Sequence, residues 1–178
     1  VRTDRLREEF DLNIRWSVFP LHPETPEEGR DLHDLFAGRM DIDAMLQRLY
    51  QVADELGLPI GKRTRTYNSR RAQELGKWAE EMGVGEAFHN AVYRAYFVDG
   101  RNIALPEELT IIAREVGLDP EMALEVIDKQ SHTDAVDADW QRAAGFGVTA
   151  IPTSIFQQRT LVGFQSHANY RKLITEAD

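Results

Sequence analysis

A long block with helical periodicity, flanked by segments with strand character, is the feature that most restricts the fold of this chain. Residues 12–18 alternate apolar and polar side chains with β-branched and aromatic content, which is typical of a β-strand. From about residue 31 to residue 144, apolar residues instead recur every three to four positions, as in amphipathic helices. A loop containing Ile151-Pro152, a short hairpin and a helix from about His167 follow. This order predicts one α/β domain interrupted by a large all-helical insertion.

Capping residues predict several helix boundaries inside that block. Asp41 is expected to cap a helix that ends at Gly57, and Asp119 precedes Pro120 at the start of another. A glycine followed by an apolar residue is typical of a Schellman motif, and three helices are expected to end in this way. These endings are Gly57-Leu58, Gly83-Val84 and Gly117-Leu118, and the helix before Gly83 is expected to bury Ala72, Leu75, Ala79 and Met82.

The absence of cysteine limits the chemistry that these 178 residues can perform. It excludes disulfides, cysteine-ligated zinc, iron–sulfur clusters and a cysteine nucleophile within the chain. The five histidines show no spacing that gathers metal ligands, and no Gly-x-Gly-x-x-Gly or Gly-Lys-Ser/Thr string is present. We therefore expect no bound metal and no cofactor.

The charge balance bears on the partners that the protein can have. A formal net charge of −9 argues against general binding to nucleic acid or to anionic membranes, so neither is expected as a partner. The one basic cluster, Lys-Arg-Thr-Arg-Thr at residues 62–66, is expected to form a solvated loop or to pair with Asp and Glu. No apolar run approaches the roughly 20 residues of a membrane-spanning helix, and the first residues lack a signal-peptide core. These features predict a cytoplasmic protein.

Four segments in this order resemble the DsbA-like thioredoxin-fold family, and specifically its FrnE-like branch. Residues 16–23, Trp-Ser-Val-Phe-Pro-Leu-His-Pro, resemble the second strand of that family and the loop after it. Residues 68–73 and 93–97 resemble helices of its insertion domain. Residues 148–153, Val-Thr-Ala-Ile-Pro-Thr, resemble its Gly-Val-x-x-x-Pro-Thr loop, in which a cis-proline faces the active-site thiols. The resemblance covers essentially the whole chain.

The resemblance implies a division of the chain and also shows a departure from the family. Residues 1–23 and 145–178 are expected to form a thioredoxin-like domain, and residues 24–144 a helical insertion domain. In the family, a first strand ends in a Cys-x-x-Cys that opens the first helix, where the helix dipole lowers the thiol pKa. This sequence starts within the pattern of that helix, so the first strand and the cysteine pair are expected upstream of Val1. Without a sulfur nucleophile, this chain alone is predicted to be redox-inactive.

The resemblance also implies where a substrate binds. The proline loop is expected to present backbone from Ala150 or Ile151 to an extended substrate, and the loop after the second strand is expected to line the same cleft. For His22 the favoured interpretation is a surface-loop histidine between prolines, with the tuning of a nearby group as the alternative. No catalytic residue is expected within the chain. The expected substrate-binding residues are Ala150, Ile151, Pro152, Thr153, Phe19 and His22.

Three functions remain open at this point. The first is a protein thiol–disulfide oxidoreductase or isomerase of DsbA type, whose partners are protein or peptide thiols and disulfides, and glutathione. The second is a glutathione-dependent isomerase similar to 2-hydroxychromene-2-carboxylate isomerase, where a serine stands in place of the thiol. The third is a non-catalytic module that holds peptides in the groove of the proline loop. A sheet edge left unpaired by the missing first strand also predicts self-association, as in a homodimer.

Overall fold

Nine helices and four short strands occur among the residues that the structure describes. The structure is a computed structural model that describes the backbone of residues 2–176 and the side chains of residues 5–176. The helices are α1 (Arg2–Glu9), α2 (Leu32–Phe36), α3 (Ile42–Glu55), α4 (Arg70–Glu81), α5 (Gly85–Phe97), α6 (Pro106–Glu115), α7 (Pro120–Lys129), α8 (Thr133–Gly145) and α9 (His167–Thr175). The strands are β1 (Arg30–Asp31), β2 (Arg65–Thr66), β3 (Thr153–Phe156) and β4 (Arg159–Val162).

The chain divides into two compact units. Residues up to Leu21, together with those from Asp137 onward, form one unit, called here the terminal unit. His22–Val136 form the other, called the helical unit. Helix α8 contains the boundary between them. The sequence-based division into folding domains, 1–23 with 145–178 and 24–144, stays a prediction.

The core of the helical unit lies among α4, α5, α6 and α7. Helix α4 packs against α5 and α7, and α6 packs against α7. Leu75, Leu109 and Ile112 are completely buried there, and Phe88 is nearly so. Burying such side chains contributes about 1.5–3 kcal/mol each, so this cluster is the main source of stability in the unit.

The predicted helix caps are confirmed. The Asp41 carboxylate accepts a hydrogen bond from the Ala44 amide at 3.0 Å, and the Asp119 carboxylate accepts from the amide of Glu121 at 2.8 Å. Helix α3 ends in a Schellman motif, in which the amide of Leu58 donates to the carbonyl of Ala53 across Gly57 at φ +63°. The predicted endings of α4 and α6 show the same bonding.

Two predictions about apolar residues are wrong. Met82 follows the last residue of α4, and its side chain is 57% exposed instead of buried. Residues 12–18 form no strand, although Leu12 and Ile14 are partly buried as their alternation predicts. The reason is that a strand needs a hydrogen-bonded neighbour, and no described segment pairs with these residues.

The strands that do form are paired locally. In the helical unit, β1 and β2 pair antiparallel with Arg30 opposite Thr66, a pairing inside the block where the sequence predicted only helices. In the terminal unit, β3 and β4 form the predicted hairpin, with Thr153 opposite Val162 and Phe156 opposite Arg159. The terminal helices α1 and α9 are joined by a contact of 2.8 Å between His167 Nε2 and a carboxylate oxygen of Glu9.

A buried charge network connects α4 with the start of α8. The Glu74 side chain is 2% exposed and accepts hydrogen bonds from Arg70 Nε at 2.7 Å and from the Thr133 hydroxyl at 3.1 Å. Arg70 also donates to the Thr133 carbonyl at 3.1 Å. Removing one partner of such a pair leaves the other charge without compensation in a largely water-free site.

We expect the substitution Glu74→Ala to lower the free energy of unfolding by about 3 kcal/mol, because it removes the carboxylate that accepts from Arg70 Nε at a buried position. The matched control is Glu125→Ala, which removes an exposed i,i+4 partner of Lys129. This control is expected to change the free energy of unfolding by no more than about 0.5 kcal/mol. Urea unfolding followed by circular dichroism measures both changes. Equal effects of the two substitutions would contradict the structural role of Glu74.

A second prediction concerns His33, the second residue of helix α2. The hydrogen bond from its Nε2 to the Asp43 carboxylate, 3.1 Å long, raises the pKa of His33 above 6.5, and Asp31 adds to this. A raised folded-state pKa stabilises the protein below the unfolded pKa, and this contribution is lost as pH rises through the folded value. NMR titration should find the His33 pKa above its ordinary value and lower in Asp43→Asn. An unchanged pKa in the variant would show that the contact does not form.

Candidate functional site

The loop around Pro152 presents an exposed turn of backbone directly before β3. The peptide bond between Ile151 and Pro152 is cis, and the Ile151 side chain is 49% exposed. The Thr153 hydroxyl donates to the Ala150 carbonyl at 2.6 Å, which closes the loop on itself. On the other side, the amide of Gly163 donates to the Pro152 carbonyl at 2.7 Å and holds the loop against the end of β4. The loop is therefore fixed at both ends and open in its middle.

The backbone of Ile151 is the open part of this loop. Within residues 2–176, neither its amide nor its carbonyl takes part in a hydrogen bond, and the ladder between β3 and β4 starts only at Thr153. Backbone polar groups are paired in most native structures, either within the protein or with water or a ligand. An exposed donor and acceptor on one residue can pair with an extended peptide, as in the addition of a strand.

Large apolar side chains are exposed on the loop and next to the residue bonded to it. Val162 and Phe164 flank Gly163, the residue bonded to Pro152, and they are 52% and 55% exposed. Ile151 on the loop is exposed as well. Clusters of this kind on a protein surface mark sites of interaction. The loop can therefore contribute both main-chain pairing and apolar contact to a ligand.

Phe19 belongs to the same unit and is positioned by a buried carboxylate. Asp139 in α8 is 1% exposed and accepts hydrogen bonds from Arg15 Nη2 at 3.0 Å and from the amide of Val18 at 3.1 Å. These bonds fix the backbone just before Phe19, whose carbonyl accepts from the amide of Leu21 at 3.1 Å. The predicted site residue Phe19 thus lies on a restrained segment and is partly buried.

His22, the last of the predicted site residues, belongs to the helical unit. Its ring meets the edge of the Phe36 ring with centroids 5.6 Å apart, and its Nδ1 lies 3.9 Å from the Glu24 carboxylate. The favoured interpretation was a surface-loop histidine, and the His22 side chain is 27% exposed in a loop. A role for His22 beside the proline loop stays a prediction.

The loop offers groups for binding but none that makes or breaks bonds. Its polar atoms are main-chain amides and carbonyls and the Thr153 hydroxyl, which is already engaged with Ala150. Among the side chains of residues 5–176, no group of three or more His, Asp and Glu could hold a metal ion. Nor does any helix among the described residues have the length and apolar character needed to cross a membrane.

Sequence reasoning missed Asp139 and Arg15, which fix the backbone before Phe19. An aspartate in the middle of a predicted amphipathic helix has no signal that separates it from a solvated one. Arg15 gave no signal either, because its side chain is 63% exposed and resembles any solvated arginine.

Several solved structures are similar to this chain. A probable DsbA oxidoreductase from Streptomyces coelicolor is 25% identical, with a TM-score of 0.79 over 88% of this chain and 71% of that one. A 2-hydroxychromene-2-carboxylate isomerase is 19% identical, with a TM-score of 0.73 over 98% of this chain and 84% of that one, and shares the fold. The cytosolic disulfide reductase DsbM from Pseudomonas aeruginosa, solved with GSH, is 27% identical, with a TM-score of 0.52 over 71% of this chain and 66% of that one.

The family model of the DSBA-like thioredoxin domain matches residues 1–175, which is almost the whole chain. The match includes the proline loop, the β3–β4 hairpin and all of the helical unit. The fold is accordingly a DsbA-like thioredoxin fold with mostly helical content. The chain therefore belongs to the DSBA-like thioredoxin domain family.

Proposed function

We propose that this chain is the substrate-binding part of a thiol–disulfide oxidoreductase or isomerase of DsbA type. It holds an extended peptide that carries a thiol or disulfide, or glutathione, against the loop of Ala150, Ile151, Pro152 and Thr153. The single observation that carries this proposal is the pair of open backbone groups on Ile151, in a chain that is similar to a probable DsbA oxidoreductase and to a disulfide reductase. Phe19 and His22 are proposed to line the same site.

Each group of the loop has a distinct role in this proposal. The amide and carbonyl of Ile151 pair with the main chain of the peptide, which gives affinity without dependence on peptide sequence. The bond from Thr153 to Ala150 and the bond from Gly163 to Pro152 keep the loop in its binding conformation before the peptide arrives. Such preorganisation lowers the entropy lost on binding.

The reacting sulfur atoms have to come from groups other than these 178 residues. The chain contains no cysteine, so it has no thiolate to attack a disulfide and none to resolve a mixed disulfide. We infer that the chain alone orients a substrate and does not exchange its disulfide. A cysteine pair upstream of Val1 stays the expected source of the attacking thiolate.

A glutathione-dependent isomerase is the second candidate. It is favoured by the absence of cysteine, because an isomerase of the 2-hydroxychromene-2-carboxylate type needs no protein thiol, and by the shared fold. In this case the loop of Ile151 and Pro152 would hold glutathione as the sulfur-bearing partner. A module that binds peptides without catalysis remains the third candidate.

Self-association and location are part of the same proposal. Both outer edges of the β3–β4 hairpin pair with no other strand in the described part of the chain, and such edges favour pairing with a second copy. We propose a homodimer on this ground.

We also propose a cytoplasmic location, which is supported by the likeness to the cytosolic reductase DsbM.

The substitution Thr153→Val tests the loop directly. It removes the hydroxyl that donates to the Ala150 carbonyl while keeping the size and β-branching of the side chain. We expect it to weaken binding of an extended peptide by about three- to tenfold, which corresponds to one neutral hydrogen bond. Thr153→Ser keeps the hydroxyl donor and should bind the peptide with the Kd of the original chain. Isothermal titration calorimetry gives the Kd values.

The matched control for this test is Thr160→Val, on the neighbouring strand β4. Thr160 is exposed and lies in the same hairpin, opposite Ile155, but outside the loop. Its substitution should leave the Kd unchanged. Equal losses in Thr153→Val and Thr160→Val would mean that the loop is not the binding element.

A modified ligand distinguishes the first candidate from the second. N-methylation of the central amide in the peptide removes the donor that pairs with the Ile151 carbonyl, and should weaken binding by about tenfold because that carbonyl then stays unpaired. Equal Kd values for the N-methylated peptide and the unmodified peptide would contradict main-chain pairing. Saturable binding of reduced glutathione without binding of either peptide would instead favour the isomerase.

A further inference from the structure

The basic cluster at residues 62–66 is not neutralised by the acidic side chains of the protein. Within residues 5–176, Lys62, Arg63 and Arg65 form no ion pair with any carboxylate, despite the net charge of −9. Arg65 uses one nitrogen to donate to the main-chain carbonyls of Glu28 and Gly29, at 3.2 and 3.0 Å. Three positive charges therefore lie close together in the helical unit without compensation.

Arg63 is held in place by two aromatic rings. Its guanidinium carbon lies 4.4 Å from the centroid of the Tyr96 ring and 4.8 Å from that of Phe97. Its backbone amide donates to the Tyr50 hydroxyl at 3.0 Å, and its Nη2 donates to the Tyr96 hydroxyl. Its Nε is buried without a hydrogen-bond partner. The positive charge of Arg63 is therefore fixed in position without a carboxylate beside it, and it can attract an anion in an adjoining space.

A small cavity adjoins these groups and contains no acid. Its volume of about 70 Å³ corresponds to about two water molecules, which is room for one oxyanion group and not for a whole organic ligand. Lysine, arginine, threonine and tyrosine side chains supply donors on its walls, and none of the lining residues carries a carboxylate. This cavity, called here the cationic cavity, is lined by Lys62, Arg63, Thr64, Arg65, Tyr67, Tyr96 and Gly100.

A larger groove shares a lining residue, Lys62, with the cationic cavity. It has a volume of about 510 Å³ and is lined by the residues Tyr50, Asp54, Leu58, Pro59, Ile60 and Lys62. Lys62 lines both spaces, and the Tyr50 hydroxyl in the groove accepts from the Arg63 amide. The groove is within the usual size of small-molecule sites, about 300–1,000 Å³, and most of its wall is apolar.

We propose that the cationic cavity and this groove together bind an organic phosphate monoester. The phosphate dianion occupies the cationic cavity beside the side chains of Lys62, Arg63 and Arg65, and the apolar organic part lies in the groove over Leu58 and Ile60. Phosphate fits better than a carboxylate because its charge and its several acceptor oxygens match three neighbouring cations. Asp54 in the groove disfavours a second anionic group at that end. The site shares no residue with the proline loop and does not depend on the function proposed for that loop.

Phenyl phosphate, inorganic phosphate and benzoate are the three probes that test this site. Phenyl phosphate should bind saturably by calorimetry, at least about fivefold more tightly than either of the others, and its affinity should fall as sodium chloride is added. In a ¹H–¹⁵N NMR spectrum, the Arg63 Nε–H resonance should shift on addition of phenyl phosphate. Benzoate binding as tightly would overturn the phosphate assignment, and inorganic phosphate binding as tightly would overturn the role of the groove.

Two variants and a matched control locate the binding. Arg63→Gln should weaken phenyl phosphate binding by at least about tenfold, and Lys62→Gln by about threefold, since Lys62 is exposed and its charge is more screened. Arg114→Gln makes the same change of charge on the exposed surface of α6 and should leave the Kd unchanged. Lys62→Gln keeps the proposal testable if Arg63→Gln fails to fold, which circular dichroism reports. No binding by the folded original chain, or equal losses in Lys62→Gln and Arg114→Gln, would overturn the proposal.

Discussion

A buried carboxylate organises the terminal unit, because it bonds to a stretch of chain that has no neighbouring strand. Residues 12–18 form no strand, and no described strand lies beside them. Asp139 accepts from the backbone at Val18 and from the side chain of Arg15, and so fixes this stretch at the point where it leads to Phe19. Buried polar groups are paired in most native structures, and here an aspartate side chain bonds to a backbone amide that lies outside any sheet.

Features of the fold that depend on residues close together in the sequence could be predicted. Features that depend on residues far apart in the sequence could not. Helix starts at Asp41 and Asp119, helix ends such as Gly57, and the hairpin are local, since the residues that decide them lie no further apart than Thr153 and Val162 of the hairpin. The strand at 12–18 depended on a distant partner, and the alternation of its side chains carries no information about pairing.

The same division holds for the site. Ala150, Ile151, Pro152 and Thr153 lie together because they are consecutive, and the resemblance of that string to a known loop identified them. Asp139 was missed because only the fold brings it near Arg15 and Val18, which lie more than 120 positions earlier in the chain. The unpaired Arg63 Nε was also beyond sequence analysis, since the aromatic rings of Tyr96 and Phe97 that enclose it are more than thirty positions away.

The terminal unit consists of two segments that the whole helical unit separates in the chain, and this arrangement sets an order of events for a nascent polypeptide. Residues 22–136 can collapse as soon as they leave the ribosome, because their partners are close in sequence. The segment before Leu21 must wait until Asp139 has been synthesised, with Trp16 and its neighbours meanwhile unprotected. Closing so long an intervening loop costs more entropy in an unstructured chain than in one whose middle has already folded. The terminal unit, which contains the proline loop, is therefore the last part of the described chain to be assembled.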